Sequence, residues 1–299
     1  MHSSPVRSSP VRERTVVVTG AARGLGAALV HDIARRGGRP ALLGHEGDRL
    51  QEIASRLPGP ALAIEVDVTD MAALERAADE VRRRLGPPSA VIANAGIAAG
   101  GDFAATDPDE WRRVVDVDLT GSAQTARAFL PDLRTTAGYY LQIASLASLA
   151  AAPMMSAYCA AKSGVEAFAH ALRAEVAPQR VAVGIAYLNW IDTDMVRDAD
   201  ETAVLRELRA FMPAPARRVR SAESVAARLV DGLERRRTAV YAPPWLRLLQ
   251  PVRGAVPPVL LRLPGRTRPL LEAGLSARPT GPLGAGGAAD RAATRRTRP

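Results

Sequence analysis

The sequence predicts a doubly wound α/β fold, in which a parallel sheet is covered by helices on both faces, in a single domain with a C-terminal extension. Three observations favour this fold. Short apolar runs alternate with longer amphipathic stretches from residue 14 to residue 242. The runs are continuously apolar, which is typical of strands buried on both faces. A glycine-rich segment, residues 19–26, follows the first run and begins the first amphipathic stretch.

The predicted strands and helices alternate through most of this region. The strands are predicted at residues 15–19, 41–43, 61–66, 90–93, 139–144, 181–187 and 239–242. The helices are predicted at residues 25–36, 47–57, 71–85, 109–130, 156–177 and 222–236. A polar, charged stretch at about residues 192–220 interrupts the alternation, and we expect it to form a lid over the substrate.

Composition and charge exclude several classes of protein. A chain of 299 residues with 47% hydrophobic content is that of a globular protein. Its net charge is +9, but residues 15–242 hold 27 basic and 28 acidic residues, so the body is not a basic scaffold for nucleic acid. One cysteine, no signal-peptide pattern and no long apolar run predict a cytoplasmic protein. The four histidines lack the spacing of metal ligands, and we expect no metal.

The two ends of the chain differ from the body, residues 14–242, which we expect to be the catalytic domain. Residues 1–13 are polar, and residues 276–299 are rich in Gly, Ala, Pro, Thr and Arg, so disorder is predicted for both. Residues 243–275 mix Leu, Trp and Arg with repeated prolines. Two interpretations of this extension stay open: residues 243–271 make a weak contact with an anionic membrane surface, or the segment packs against the body or a neighbouring subunit.

The glycine-rich loop predicts a site for a dinucleotide. Gly20 permits a tight turn, Gly24 lets the backbone approach a pyrophosphate, and Gly26 allows close packing of helix against strand. Free amides at the start of the following helix would then hold the anion.

The end of the second predicted strand is where a dinucleotide's adenosine ribose is read. His45 stands there, and Glu46 is expected to begin the next helix. Arg23, inside the glycine loop, is close to where a 2′-phosphate would lie. On this electrostatic ground NADP(H) is favoured over NAD(H).

Tyr158 and Lys162 are four residues apart and so share one face of a predicted helix. A neighbouring ammonium lowers the pKa of a phenol by favouring the phenolate, which suits tyrosine to acid/base chemistry. Ser145 ends the preceding strand, at the carboxyl edge of the sheet where active sites of such folds lie. The three residues predict a catalytic site.

These motifs together resemble the short-chain dehydrogenase/reductase family. The resemblance rests on the loop 19–26, the Asn94-Ala-Gly96 segment, Ser145 thirteen residues before Tyr158, and Lys162, and it covers residues 14–242. It implies a Rossmann-type subunit, commonly in a homodimer or homotetramer, that moves a hydride between NAD(P) and a carbonyl or alcohol. It also implies that Tyr158 is the acid/base, that Lys162 tunes it and holds the nicotinamide ribose, and that Ser145 binds the substrate oxygen.

The resemblance also implies a set of cofactor contacts. Asp67 is expected to meet the adenine amino group, Asn94 to support the adenosine ribose, and Ile191 and Thr193 to meet the nicotinamide carboxamide. The full set is Gly20, Arg23, Gly24, Leu25, Gly26, His45, Asp67, Val68, Asn94, Ala95, Gly96, Tyr158, Lys162, Ile191 and Thr193.

Two positions depart from the family pattern. Asp118 stands where the family usually has an asparagine that holds a water connecting the lysine to solvent, and we hypothesise that the aspartate preserves this relay while adding a charge near Lys162. The turn after the sixth strand lacks the usual Pro-Gly. Within it, Trp190 either lines the substrate pocket or packs under the lid.

Two functions are therefore weighed. The first is a reductase or dehydrogenase for a small to medium, fairly apolar ketone or alcohol. The second is a non-catalytic scaffold that binds a cofactor, which only the altered residue at position 118 favours. Lys162 is the only lysine in the chain, and its retention at the catalytic position argues against the second.

Overall fold

The strands form where the sequence is continuously apolar, and they lie side by side in one parallel sheet. The structure is a computed structural model that describes residues 11–255, 272 and 279–297. The strands are β1 (Thr15–Thr19), β2 (Arg39–Gly44), β3 (Leu62–Glu65), β4 (Ala90–Ala93), β5 (Tyr139–Ser145), β6 (Ala182–Leu188) and β7 (Ala239–Ala242). Their order is β3-β2-β1-β4-β5-β6-β7, and every neighbouring pair is parallel. The predicted doubly wound α/β fold is confirmed.

Helices cover both faces of the sheet. They are α1 (Gly24–Arg35), α2 (Gly47–Arg56), α3 (Met71–Leu85), α4 (Pro108–Val115), α5 (Gly121–Thr135), α6 (Ser156–Val176), α7 (Asp194–Glu201), α8 (Ala203–Ala210), α9 (Ala214–Arg217), α10 (Ala222–Glu234) and α11 (Gly284–Thr297). Apolar residues of α1, α2 and α10 form the core on one face, and those of α3, α5 and α6 form the core on the other. The strand order reverses between β1 and β4, and ligands of such folds bind at the carboxyl ends of the strands at this point.

The helix predicted at residues 109–130 is not one continuous α-helix. A π-helical turn, Asp116–Thr120, separates α4 from α5. Each π turn accommodates one more residue than an α turn, which hydrophobic periodicity does not reveal. Asp118 lies at the centre of this turn and is fully buried, so the departure from regular helix occurs at a predicted site residue.

The polar stretch at residues 192–220 consists of the three short helices α7, α8 and α9. They follow β6, and after them the chain returns toward the end of that strand, where Ile191 and Arg220 pair in a parallel bridge. The stretch therefore begins and ends beside the carboxyl end of β6.

The prediction of disorder for residues 276–299 was wrong where the structure describes them, because α11 forms there. Its Gly, Ala and Arg content resembles low complexity, but alanine and arginine are strong helix formers, and contacts with the body fix the helix. Residues 1–10, most of the N-terminal segment for which disorder is predicted, lie outside the described residues.

The described part of the extension, residues 243–255, packs against the body. Leu246 is completely buried, and the Arg253 guanidinium donates to the Glu166 carboxylate on α6 at 2.7 Å. Residues 256–271, the rest of the segment considered for membrane contact, lie outside the described residues. Among the residues that are described, no helix combines the length and apolar character needed to cross a membrane.

Candidate active site

A cleft opens at the carboxyl ends of the strands, at the point where the strand order reverses between β1 and β4. All but two of the residues predicted for the site line it: Gly20, Arg23, Gly24, Leu25, Gly26, His45, Val68, Asn94, Ala95, Gly96, Ser145, Tyr158, Lys162, Ile191 and Thr193. The two residues that do not line the cleft are Asp67 and Asp118. The fold thus brings together residues that are far apart in the sequence: Gly20 and Thr193 are separated by 173 positions.

The glycine loop forms a cradle that side chains would fill. Gly20 has φ 65°, and a Cβ atom on it would lie 2.9 Å from the Cα of Ala95. Gly24 has φ 47°, and a Cβ atom there would lie 2.9 Å from the Thr193 side chain. No side chain caps helix α1, so its first amides remain available to an anion. The cradle and these amides fit the pyrophosphate of a dinucleotide.

Thr19 connects the glycine loop to the segment after β4. Its hydroxyl oxygen accepts hydrogen bonds from the amides of Asn94 and Ala95, both at 3.0 Å. The Asn94 side chain donates in return to the carbonyl of Thr19 at 2.9 Å. Asn94 therefore holds the glycine loop in shape, a structural role that its position in the sequence did not indicate.

Replacing Thr19 by valine is expected to lower the free energy of unfolding by about 2 kcal/mol, because two amides lose their acceptor while the volume of the side chain is retained. Urea denaturation measures the change. Thr125→Val is the matched control: Thr125 is equally buried, but its hydroxyl only donates to the Gly121 carbonyl of its own helix. An equal loss in both variants would contradict the connecting role of Thr19.

Arg23 lies in the cleft but is not free. Its guanidinium forms two hydrogen bonds with the Glu46 carboxylate, one of them from Nε at 2.6 Å. Its Nη1 also lies 3.6 Å from Asp194 on α7. Arg23 thus joins the loop after β2 to the first helix of the 192–220 stretch, and any anion that binds it competes with Glu46.

Asp67 does not line the cleft, and both oxygens of its carboxylate have hydrogen-bond partners. Its Oδ1 accepts from the amide and hydroxyl of Thr69 at 2.8 and 2.7 Å, and its Oδ2 accepts from Arg113 on α4 at 2.9 Å. These hydrogen bonds hold the pKa of Asp67 below its ordinary value despite the opposing effect of burial. The predicted contact of Asp67 with adenine stays a prediction.

Tyr158 and Lys162 lie on the face of α6 that looks into the cleft. The Lys162 ammonium is 5.4 Å from the centre of the Tyr158 ring. Lys162 is buried, and Tyr158 is partly buried. Ser145, the last residue of β5, lines the cleft beside Tyr158, and its oxygen accepts from the Ala147 amide at 3.1 Å. Phenol, ammonium and hydroxyl therefore meet at one place.

Asp118 forms a buried ion pair with Lys162. The Asp118 Oδ2 atom lies 3.0 Å from the Lys162 Nζ atom, and its Oδ1 atom accepts from the Ile97 amide at 2.7 Å. The π turn positions the carboxylate so that it reaches both groups. Asp118 thus fixes the lysine and the segment after β4 together.

The ion pair affects the acid/base properties of the neighbouring groups. Burial lowers the pKa of Lys162, but the Asp118 carboxylate outweighs it, and the pKa stands above its ordinary value. Burial raises the pKa of Tyr158; the charge of Lys162 and the hydrogen bond with Ser145 lower it, whereas the charge of Asp118 raises it. The aspartate therefore opposes part of the lysine's effect on the phenol.

Trp190 does not line the cleft; of its two predicted places, the structure supports packing under the lid. The centre of its ring lies 5.5 Å from the guanidinium carbon of Arg209, a residue near the C-terminus of α8. Asn189, one residue earlier, lines the cleft instead, and its amide side chain donates to the carbonyl of Ala216 at 2.7 Å.

Sequence reasoning missed the residues that the C-terminal segment contributes to the cleft. They are Leu283, Gly286, Gly287, Ala289 and Asp290. The run of alanines after Gly287 was the one local signal for a helix there, and it did not indicate where the helix would pack.

The order of these elements matches a known family of proteins. The sequence model of the short chain dehydrogenase family matches residues 14–203, which include the glycine loop, Ser145, Tyr158 and Lys162. The chain belongs to this family. Its fold is accordingly that of the family's Rossmann-type subunit, and it is an NAD(P)-dependent oxidoreductase that acts on alcohol or carbonyl groups.

Three relatives show how far this short-chain dehydrogenase resembles curated proteins. Dehydrogenase/reductase SDR family member 7B of Bos taurus is 30% identical over 268 residues, 85% of this chain and 81% of that protein. Meso-2,3-butanediol dehydrogenase of Serratia marcescens is 30% identical over 183 residues, 61% and 73% of the two chains. The inactive 2-(S)-hydroxypropyl-CoM dehydrogenase 2 of Xanthobacter autotrophicus is 32% identical over 184 residues, 59% and 80% of the two chains.

Proposed function

We propose that the protein interconverts a small to medium, fairly apolar ketone and its secondary alcohol, with Tyr158 as the acid/base. One observation carries the proposal: Tyr158, Ser145 and the buried Lys162 share a cleft with a glycine cradle that fits a dinucleotide. The relative named meso-2,3-butanediol dehydrogenase supports a small secondary alcohol as the class of substrate.

The chemistry divides between the cofactor and the chain. A bound nicotinamide cofactor supplies or accepts the hydride. Ser145 holds the substrate oxygen by a hydrogen bond. Tyr158 donates its hydroxyl proton to that oxygen during reduction and takes a proton from it during oxidation. Lys162 stabilises the phenolate by its charge, and Asp118 holds Lys162 in place.

The residues that would hold the cofactor follow from the cleft. Gly20, Gly24 and the first amides of α1 would hold the pyrophosphate. Ile191 and Thr193, beside the lid, would meet the nicotinamide carboxamide, and His45 and Asn94 would lie at the adenosine side. A homo-oligomer and a cytoplasmic location stay predictions from the sequence.

We further propose that NADP(H) is preferred, through Arg23. NADPH should bind more tightly than NADH. Arg23→Ala should lower the affinity for NADPH about tenfold and change the affinity for NADH little, because a charge-assisted hydrogen bond to the 2′-phosphate is lost. Glu46→Gln should raise the affinity for NADPH, since the carboxylate that competes for Arg23 is removed. Titration of cofactor fluorescence measures the three affinities.

The control for this series is Arg35→Ala, which removes an exposed arginine at the other end of α1. If Arg23→Ala weakened both cofactors equally, or if NADH bound tighter than NADPH, the preference would be excluded.

The alternative is a scaffold that binds a cofactor without turnover. The Asp118–Lys162 ion pair favours this alternative, because the carboxylate offsets the lysine charge that lowers the pKa of Tyr158. One of the relatives also has a name that describes it as inactive. Against it stands the complete set of Ser145, Tyr158 and Lys162 in one cleft.

A substrate panel separates the two functions. The full-length protein is incubated with NADPH, and in parallel with NADH, and with a series of ketones, and loss of the reduced cofactor's absorbance is followed. We expect turnover of at least one ketone, and turnover of the same ketone by the Tyr158→Phe variant about a thousandfold more slowly. Cofactor binding without Tyr158-dependent turnover on any ketone, or on the matching alcohols in the reverse direction, would establish the scaffold instead.

A further inference from the structure

The C-terminal strap, residues 279–297, crosses the cleft of the active site. Its first part pairs with the loop after β4: the Thr280 amide donates to the Gly100 carbonyl at 2.7 Å, and the Leu283 amide donates to the Ala98 carbonyl at 2.7 Å. The Gly100 amide donates in return to the Thr280 hydroxyl at 2.9 Å. The strap is therefore attached at its beginning by backbone hydrogen bonds.

The strap next meets the first helix of the 192–220 stretch. The amide of Gly284, where α11 begins, donates to the Asp198 carboxylate of α7 at 2.8 Å. Asp198 thereby satisfies one of the free amides at the start of α11. The two helices lie against one another over the cleft, and Met195 of α7 and Gly286 of α11 both line it.

A buried ion-pair cluster holds the far end of the strap. Asp290 is only 2% exposed, and its carboxylate accepts from Arg113 of α4 at 2.6 and 3.0 Å. The Nε2 atom of His45 lies 3.2 Å from the same carboxylate. Burial raises the pKa of Asp290, but the hydrogen bonds from His45 and Arg113 bring it below its ordinary value. We call Asp290, Arg113 and His45 the latch.

At the attachment, the side chain of Leu283 lines the cleft on the same side as Tyr158. Leu283 is 5% exposed, and both residues line the cleft. The apolar cluster around them consists of Ala98, Ala199, Leu205 and Leu283, with Met154, Met155, Met195, Leu208 and Tyr158 packed against it. Of this cluster, Leu283, Met195 and Tyr158 line the cleft, and the other members pack behind them. A substrate group that lies against Leu283 and Met195 therefore meets an apolar surface.

We propose that the strap is a wall of the substrate pocket, in which Leu283 limits the length of the substrate's apolar group and Asp290 is a positioning residue that keeps Leu283 there. The proposal rests on the proposed function and narrows its substrate to ketones or secondary alcohols with an apolar chain whose length Leu283 limits. Leu283 contacts the substrate directly, whereas Asp290 acts through the latch.

The experiment uses the full chain and 2-ketones from four to ten carbons. Leu283→Ala enlarges the pocket and Leu283→Phe shortens it. For each variant, kcat/KM is measured along the series, and the affinity of each ketone for the protein loaded with oxidised cofactor is measured by calorimetry, which needs no turnover. Leu248→Ala, a change of the same type at an exposed leucine, is the control.

Leu283→Ala should shift the optimum to longer ketones, with the ratio of long to short kcat/KM raised roughly tenfold, and Leu283→Phe should shift it to shorter ones. Asp290→Asn should raise KM with little change in kcat and should broaden the optimum toward longer ketones, because Leu283 is no longer held in place, and Asp290→Glu should restore part of the loss. Leu248→Ala should match the wild type.

Unchanged chain-length profiles in both Leu283 variants would overturn the proposal while leaving the proposed function intact. Absence of turnover in the wild type would remove the proposed function, but the binding series would still decide on the pocket. In that series, ketone affinities that are undetectable for every variant, or equal for all variants, would also overturn the proposal that Leu283 forms a wall of the substrate pocket. A fall in kcat without a rise in KM in Asp290→Asn would overturn the role of the latch.

Discussion

Replacing Tyr158 by phenylalanine is expected to lower kcat/KM by about 10³-fold. The change removes one oxygen atom and leaves the ring packed against the apolar cluster, so the proton donor is lost while the pocket keeps its shape. Steady-state kinetics at neutral pH, with whichever ketone the wild type reduces best, measure the loss. Cofactor affinity, measured by fluorescence, should stay within about twofold because the glycine cradle is untouched.

Tyr241→Phe is the control for this variant. Tyr241 lies on the edge strand β7, where its ring stacks on that of Tyr187 at 5.0 Å, and it does not line the cleft. It should retain wild-type kinetics. A Tyr158→Phe enzyme that kept a tenth or more of the wild-type kcat/KM would contradict the assignment of the acid/base.

Replacing Lys162 by methionine is expected to lower kcat/KM about 10²- to 10³-fold at neutral pH. The ammonium is the charge that lowers the pKa of the Tyr158 phenol, and its loss leaves burial and the Asp118 carboxylate to raise that pKa further. Alcohol oxidation needs the ionised phenol, so its rate rises with pH through this pKa. In Lys162→Met the rising limb should therefore move to higher pH.

Asp118→Asn provides the opposite test on the same pair. The carboxylate raises the pKa of Tyr158, so an amide of the same shape should lower it and move the rising limb of the oxidation profile to lower pH, by about one unit. Profiles of kcat/KM for alcohol oxidation measure both variants. If the two substitutions moved the limb in the same direction, or if Asp118→Asn moved it not at all, the electrostatic role of the ion pair would be excluded.

The strands and the local motifs could be predicted from the sequence because their signals are local. The strand Thr15–Thr19 is buried throughout and has three consecutive valines at its centre, and the spacing of Gly20, Gly24 and Gly26 expresses the geometry of a single turn. The spacing of Tyr158 and Lys162 likewise follows from one turn of a helix. Parallel strands then bring the ends of β1, β4, β5 and β6 to one edge, which positions the cleft.

The remaining features depend on contacts between distant segments. The π turn at Asp116–Thr120 places Asp118 between Lys162 and Ile97, and helical periodicity carries no sign of it. Asp290 meets Arg113 across 177 residues of sequence, in a segment whose composition resembles disorder. Arg23 lines the cleft, but its pairing with Glu46 depends on how the loop after β2 folds back over the glycine loop.

Transfer of a labelled hydride tests the central claim most directly. The wild-type protein is incubated with a ketone that it reduces and with reduced cofactor deuterated at the transferring position of C4, and the alcohol is analysed by mass spectrometry and NMR. We predict one deuterium at the carbinol carbon, and formation of labelled alcohol by Tyr158→Phe at about a thousandth of the wild-type rate under the same conditions. An alcohol without deuterium, or labelled alcohol formed equally by the Tyr158→Phe variant, would contradict a Tyr158-dependent hydride transfer.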